Sequence, residues 1–261
     1  ERALPPAFLD EWFAKVADKQ STRTLLFSTL FHLMSLVVCG IHKTVGSAYQ
    51  ALEAAIGVTV QAVYEKLKGV ELPTSAALVR QTAETVAPLI EELGGRYAPI
   101  FPGYRVKILD GNCLAATEHR LKELRGLAAG ALPGKSLVVY EPELGIPTAV
   151  FPCEDGHAQE RALLHDVLPT VQAGDVWMAD RNMCTRGFTC GIDDRLAYFV
   201  IREHEKFPWR PAGAEVFAGE TETGRVYEQP ITVTDEAGRE HAFRRIRVAL
   251  KEATRDGDLE L

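Results

Sequence analysis

The first hundred residues carry apolar side chains at the three-to-four-residue spacing that is typical of helices. Two prolines precede the first of these stretches, and a pair of glycines, Gly94 and Gly95, ends the last. The predicted helical stretches cover residues 8–17, 25–41, 44–68 and 75–93. We therefore predict a helical N-terminal domain over residues 1–100.

Gly57 divides the stretch 44–68 into two short helices. Two helices joined by a tight glycine turn have the outline of a helix-turn-helix, in which the second helix enters a groove of DNA. Lys66 and Lys68 lie on that second helix, so they are candidate DNA contacts. A solvated helix surface carries the same residue types, and this structural interpretation stays open.

After Pro102 the pattern changes to short β-type runs that are bounded by glycine and proline. The predicted order is a strand, two strands in a hairpin, a helix, a strand, a helix and a strand. These elements cover residues 105–110, 136–141, 147–151, 158–168, 175–180, 184–195 and 196–201. An antiparallel meander followed by alternating helices and parallel strands is the element order of a ribonuclease-H-like fold.

Residues 207–253 alternate apolar and polar positions between turn signals at Gly213, Gly224 and Gly238, which predicts a small antiparallel insert. The predicted fold class is α/β (α+β): a helical N-terminal domain, then a ribonuclease-H-like mixed sheet with an antiparallel β insert. The predicted boundaries are 1–100 for the helical domain and candidate helix-turn-helix, 101–206 for the ribonuclease-H-like core, and 207–261 for the insert and the start of the return to the core.

The composition is that of an average globular protein. Of the 261 residues, 46% are hydrophobic and 25% are charged. The formal net charge of −7 argues against a strongly basic surface, but DNA binding depends on local patches and not on the sum over the chain. The five cysteines form no C-x-x-C pair, which indicates free thiols in a reducing compartment. The apolar run 25–41 contains polar residues and is shorter than the ~20 residues of a membrane span, so we expect no membrane contact.

Asp110 and Asp180 each end an apolar run that is predicted to be a strand. In the predicted fold these strands are parallel neighbours, so their carboxyl ends bring the two carboxylates together. Adjacent carboxylates repel each other unless a divalent cation lies between them, and Mg²⁺ leaves room for water and phosphate oxygens. The pair therefore predicts a two-ion site for phosphoryl displacement. An aspartate at a strand end is also a common turn former, and this alternative stays open.

Four segments of the chain resemble bacterial DDE transposases of the insertion-sequence-4 type. ILDGN at 108–112 and WMADRNMCTRGF at 177–188 are similar to the first and second acidic motifs of that family. LVVYEPELGIP at 137–147 and VTVQAVYEKL at 58–67 resemble other parts of it. The similarity runs from about Phe27 to Arg247 and is most specific around Asp180.

The resemblance implies that Asp110 and Asp180 are the first two catalytic carboxylates and that they bind two Mg²⁺ (or Mn²⁺) ions. It implies strand cleavage and strand transfer at insertion-sequence ends. The implied partner is double-stranded DNA, both the end repeats and the target, and the implied active complex contains a homodimer. The implied location is the bacterial cytoplasm, in association with the nucleoid.

The family's third carboxylate is not found. In the family it is a Glu within a Tyr-x2-Arg-x3-Glu-x6-Lys signature, whereas Tyr198 and Tyr227 are followed three positions later by Ile201 and Pro230. We expect the chain to be truncated before this Glu, which would follow Leu261, and the fragment alone to be inactive. The alternative function is that of a catalytically inactive, transposase-derived DNA-binding protein.

Basic side chains near the two aspartates are candidate contacts to the DNA backbone. Those around the first aspartate are Arg105, Lys107, Arg120, Lys122 and Arg125. Arg181 and Arg186 follow Asp180, and Trp209 is a candidate for stacking on an unpaired base at a transposon end. Solvated helix pairs, internal salt bridges and a packed aromatic ring are the corresponding structural interpretations.

Two further functions fit the same residues. A stand-alone ribonuclease-H-like nuclease would use the two carboxylates without requiring specific DNA ends. An unrelated α/β scaffold would use them only as turn formers, and divalent metal would then leave its melting temperature unchanged.

Overall fold

The N-terminal helices form where the apolar spacing predicted them. The computed structural model describes residues 3–18, 20, 24–113, 134–153, 159–255 and 257–261, with Cys113 described by its backbone only. The helices are α1 (Pro6–Val16), α2 (Phe27–Val38), α3 (Val45–Ile56), α4 (Val60–Gly69) and α5 (Leu72–Glu92). Helix α5 begins three residues before the predicted start because Pro73 fits the first turn of a helix, where no N–H donor is required.

The predicted turn at Gly57 is confirmed. Gly57 caps α3 with a left-handed φ of 68°, which glycine adopts without steric cost. Thr44 begins α3 with a capping box, since its hydroxyl accepts the backbone N–H of Ser47 while the Ser47 hydroxyl accepts the N–H of Thr44. Thr59 caps α4 by accepting the N–H of Ala62. Local side-chain chemistry therefore fixes both ends of this helix pair.

One apolar cluster holds the first four helices together. Phe13 of α1 stacks on Phe27 of α2 with ring centroids 4.3 Å apart, and Trp12 meets the same ring at 5.8 Å. Leu33, Ala48 and Val63, from α2, α3 and α4, are fully buried in the same cluster. Burial of one apolar side chain of this size contributes about 1.5–3 kcal/mol, so the cluster is the main stabilising feature of these helices.

Five strands form one mixed sheet in the order β3-β2-β1-β4-β5. The strands are β1 (Arg105–Cys113), β2 (Lys135–Glu141), β3 (Ile146–Cys153), β4 (Asp175–Ala179) and β5 (Tyr198–Ile201). Strand β1 runs parallel to β4, and β4 runs parallel to β5. The predicted α/β class and the mixed sheet are therefore confirmed.

Two predicted boundaries in this region are wrong. Strand β1 does not stop at Gly111 but continues to Cys113, so Asp110 lies inside the strand and not at its end. The predicted helix over 158–168 is broken into a 3-10 turn at Glu160–Leu163, the short helix α6 (Leu164–Val167) and a second 3-10 turn at Leu168–Thr170. Pro169 lies in that last turn, and its missing N–H prevents a continuous helix.

The predicted antiparallel insert is confirmed as a second sheet. It contains β6 (Arg210–Pro211), β7 (Val216–Glu220), β8 (Gly224–Thr234) and β9 (Glu240–Leu250). Strand β8 pairs antiparallel with β6, β7 and β9, and the β8–β9 turn includes Gly238 at a φ of 83°. Helix α7 (Arg186–Asp193) contributes Cys190 to a small core with Ile231 and Val233 of β8.

The chain divides into two compact units. The first comprises residues 1–97, 112–140 and 144–157, and within it α5 packs along β3. The second comprises 98–111, 141–143 and 158–261, and it contains most of β1, the strands β4 and β5, α7 and the insert. Among the described residues, no helix has both the length and the apolar character that crossing a membrane requires.

Candidate active site

Asp110 and Asp180 occupy matching positions on β1 and β4. The last register pair of these parallel strands is Leu109 with Ala179, and each aspartate is the next residue in its chain. Asp180 keeps an extended backbone (φ −77°, ψ 178°). Neighbouring strands are about 4.8 Å apart and successive side chains alternate between the faces, so the two carboxylates leave the same face of the sheet as neighbours.

Both carboxylates are exposed and both accept a local backbone N–H. Asp110 Oδ1 accepts the N–H of Gly111 at 2.8 Å, and Asp180 Oδ1 accepts the N–H of Asn182 at 2.9 Å. The second bond caps a 3-10 turn at Arg181–Met183, which is the behaviour of a turn former. Among the described residues, no hydrogen bond reaches the Oδ2 of either carboxylate, and this oxygen can accept another ligand.

The donor chemistry of this pair fits Mg²⁺, which prefers carboxylate oxygen together with water and phosphate oxygen. The number of side chains that could act as metal ligands is small. Among the residues that the structure describes, no three His, Cys, Asp or Glu side chains lie close enough together to hold a metal ion. The metal site that the sequence predicts at this pair therefore stays a prediction.

A carboxylate that the sequence did not single out, Glu160, packs on Gly111, the residue after Asp110. Side chains alternate along a strand, so Glu160 lies on the face opposite the Asp110 side chain. The carboxyl group of Glu160 fills the space that a Cβ on residue 111 would need. The 3-10 turn that carries Glu160 also contacts the turn at Arg181–Met183. The glycine after Asp110 was the one available signal, since a glycine in a strand often marks the close approach of another group.

Arg105 and Lys107, which were predicted to contact DNA, form ion pairs inside the protein. Arg105 Nε and a terminal nitrogen each lie 2.5 Å from Oδ1 of Asp175, a carboxylate that is 1% exposed. Lys107 pairs with Glu141, which is also buried. Arg105 precedes Asp110 by five residues, or roughly 16 Å along the strand. These two cations therefore neutralise buried carboxylates on the strands and do not surround Asp110.

The other predicted DNA contacts of this region have separate positions. Arg120, Lys122 and Arg125 lie outside the described residues. Arg181 is exposed and forms no ion pair with any described residue, whereas Arg186 lies 3.4 Å from Glu236. Trp209 is half-buried, donates its indole N–H to Glu203 at 2.7 Å and carries the Arg245 guanidinium 5.1 Å from its ring centroid. A base would have to displace Arg245 to stack on that side of the ring.

Lys66 and Lys68 differ in their surroundings on α4. Lys66 donates to the carbonyl of Leu25 and lies 5.4 Å from the ring centroid of Phe13, and burial lowers its pKa. Lys68 is 75% exposed and pairs with Glu65 at 3.5 Å. Of the two, Lys68 is the one that is open to a DNA phosphate, while Lys66 is engaged with the helical core.

No protein-family model, curated protein or solved structure matches this chain. The functional interpretation therefore rests on the residues and their geometry.

A buried histidine, which no sequence pattern indicated, joins the insert to α7. His241 of β9 is 6% exposed, its Nδ1 lies 2.7 Å from Asp193 at the end of α7, and its Nε2 lies 3.6 Å from Asp235 in the β8–β9 turn. Arg239 completes the cluster with a two-pronged ion pair to Asp194. The hydrogen bond that His241 donates to Asp193 raises the pKa of His241, burial opposes this, and Asp235 raises it further.

The stability of the second unit is expected to fall as the pH rises above 6.5, the ordinary pKa of histidine. A raised folded-state pKa means that the stabilisation is complete below 6.5 and is lost as the pH passes through the folded-state pKa. The measurement is the melting temperature from pH 5 to 9. Its decrease with rising pH should be smaller in His241→Gln than in the unaltered protein. His165→Gln is the matched control because His165 is an exposed histidine. An unchanged slope in His241→Gln would contradict the assignment.

Proposed function

We propose that this chain is the larger part of a DDE-type DNA transposase of the insertion-sequence-4 type. It would catalyse metal-dependent strand cleavage and strand transfer at insertion-sequence ends. The observation that carries this proposal is the register of β1 and β4, which puts Asp110 and Asp180 at matching positions on adjacent parallel strands. In an unrelated α/β scaffold whose aspartates only form turns, nothing would require the two residues to lie at matching positions.

The strand arrangement supports a ribonuclease-H-like core. The order β3-β2-β1-β4-β5, with β1, β4 and β5 parallel, agrees with a meander followed by crossovers between parallel strands. The antiparallel insert follows β5, where the transposase resemblance implies one.

The half-exposed apolar side chains of β5 support a further element that covers this strand. Tyr198 is 53% exposed and Val200 is 51% exposed. Their partners across the parallel ladder are Val176 and Met178, which precede Asp180 on the same face of the sheet. Apolar residues at alternate positions of a strand are normally covered by another layer. We propose that a helix covers these side chains in the active complex.

In the proposed reaction, water first attacks a phosphodiester at the transposon end and displaces a 3′-hydroxyl. This hydroxyl then attacks a second phosphodiester, and the 3′-oxygen of the attacked strand leaves as the new phosphodiester forms. Asp110 and Asp180 would hold the Mg²⁺ or Mn²⁺ ions through their Oδ2 atoms. When bound, two such ions supply charge neutralisation at the phosphate and acidify a water molecule. The chain itself contributes the fixed positions of the two carboxylates, which the parallel ladder sets before DNA binds.

The proposed partners are double-stranded DNA, as both end repeats and target, and a second copy of the chain in the active complex. The proposed location is the bacterial cytoplasm, at the nucleoid. In the first unit, the helix pair α3–α4 with its glycine turn is the element that would contact DNA, with Lys68 exposed on α4.

A catalytically inactive, transposase-derived DNA-binding protein is the second candidate. It is favoured by the local hydrogen bonds of Asp110 and Asp180, because each is already satisfied in part by a backbone N–H. In that protein the aspartates would have kept their structural role after the loss of cleavage.

Metal dependence separates the two candidates. The full-length protein is incubated with supercoiled DNA that carries candidate insertion-sequence ends, in Mg²⁺, in Mn²⁺ and in EDTA. The transposase should nick this DNA in either metal and not in EDTA. DNA binding without nicking under every condition would instead establish the inactive binding protein. Nicking that persists in EDTA would rule out the proposed chemistry.

A further inference from the structure

Arg202, the residue after β5, lies in register with Asp110 and Asp180 of the two neighbouring strands. Ile201 is the register partner of Ala179, and the N–H of Arg202 donates to the Ala179 carbonyl at 3.3 Å as the last rung of the parallel ladder. Arg202 therefore stands opposite Asp180, as Asp180 stands opposite Asp110. Strand alternation gives it the same face as Tyr198 and Val200. Asp110, Asp180 and Arg202 therefore form one row across three adjacent parallel strands, with two acidic residues followed by one basic residue.

The Arg202 guanidinium has a weakly held partner. One of its terminal nitrogens lies 2.9 Å from Oδ2 of Asp258, with side chains that are 41% and 42% exposed. An ion pair at that exposure is weak, because water screens it and both side chains lose freedom. A phosphate group offers the same fork of oxygen acceptors with more negative charge.

A cation at this position would reduce the electrostatic repulsion between the DNA and the two carboxylates in the proposed reaction. A DNA strand that reaches Asp110 and Asp180 brings its phosphates towards two carboxylates. Arg105 and Lys107 do not offset this repulsion, since both are engaged with buried carboxylates. Of Asp110, Asp180 and Arg202, only Arg202 carries a positive charge, and it lies on the same face of the sheet as the two carboxylates.

We propose that Arg202 binds a DNA phosphate next to the Asp110–Asp180 pair, and that Asp258 occupies its guanidinium until DNA displaces it. Arg202 is thus a substrate-positioning residue, and Asp258 is an internal competitor for the phosphate. The inference rests on the proposed function for its choice of ligand. It needs no metal, so it is tested separately from cleavage.

The test is the binding of a short, fluorescently labelled DNA duplex of arbitrary sequence to the whole chain in EDTA. Arg202→Gln should weaken binding about tenfold at low salt and reduce the slope of log K against log[NaCl] by about 0.9, the value of one phosphate contact. Asp258→Asn should strengthen binding. In the double variant, Asp258→Asn should have no further effect, since the competitor matters only when Arg202 is present.

Arg244 and Glu228 provide the matched control, because they form another exposed ion pair of the second unit at 3.4 Å. Arg244→Gln and Glu228→Gln change the net charge by the same amounts, and they should move affinity much less. Equal effects at the two pairs, additive effects of Arg202→Gln and Asp258→Asn, or no binding by the unaltered chain would each overturn the inference. The proposed function is overturned separately, by nicking that does not depend on Asp110 or on metal.

Discussion

Replacing Asp110 by asparagine is expected to lower metal-dependent nicking of transposon-end DNA about a thousandfold, the upper range for removal of one charge-stabilising group from an active site. Asparagine keeps the oxygen that accepts the Gly111 N–H, so the local backbone should stay as it is. It removes the negative charge that a divalent cation requires. The same loss is expected for Asp180→Asn, because the two residues hold equivalent positions on β1 and β4.

The measurement is the initial rate of nicking by the full-length protein, with DNA binding followed in parallel. Binding in EDTA should stay the same or become slightly tighter, because a negative charge near the DNA has been removed. Asp166→Asn is the matched control, since Asp166 is a half-exposed carboxylate on α6. Nicking by Asp110→Asn at the level of this control would exclude Asp110 as a metal ligand.

Arg105→Ala is expected to destabilise the second unit by about 3 kcal/mol, the lower end of the range for removing one partner of a buried ion pair. Asp175 is 1% exposed, and both close contacts of its Oδ1 come from Arg105. Its Oδ2 keeps the N–H of Gln172 at 2.9 Å, and Arg105 is itself partly exposed. These two features keep the loss from being larger.

The measurement is urea-induced unfolding followed by tryptophan fluorescence. Arg181→Ala serves as the control, because Arg181 is an exposed arginine without an ion pair among the described residues, and its loss should cost less than about 0.5 kcal/mol. If Arg105→Ala unfolds at the same urea concentration as this control, Asp175 does not depend on Arg105. Arg105 would then again be a candidate for DNA contact.

These contrasts show which features of the site a sequence pattern can predict. Apolar alternation locates β1 and β4, and it identifies Asp110 and Asp180 because each follows a buried run. It cannot tell that Arg105 lies beside a buried carboxylate seventy positions away, because that contact depends on the register between two strands. The charge of Arg105 was visible in the sequence, but its partner was not.

Glu160 and His241 were missed for a related reason. Each acquires its role from a neighbour that is distant in sequence: Glu160 from Gly111, and His241 from Asp193. Nothing in the residues flanking either one departs from an ordinary turn or an ordinary strand. The helices α3 and α4 were predicted well because their ends are set by local chemistry at Thr44, Gly57 and Thr59.

The polar links between α7 and the β8–β9 turn have a consequence for how this region opens. Arg186 near the start of α7 meets Glu236, while Asp193 and Asp194 at its end meet His241 and Arg239. A helix tied at both ends to one hairpin cannot fray without releasing the hairpin. Its amide hydrogens and those of β8 and β9 are therefore expected to exchange with solvent as one cooperative unit. The insert thus protects the helix that follows Asp180, whatever lies on the other side of the sheet.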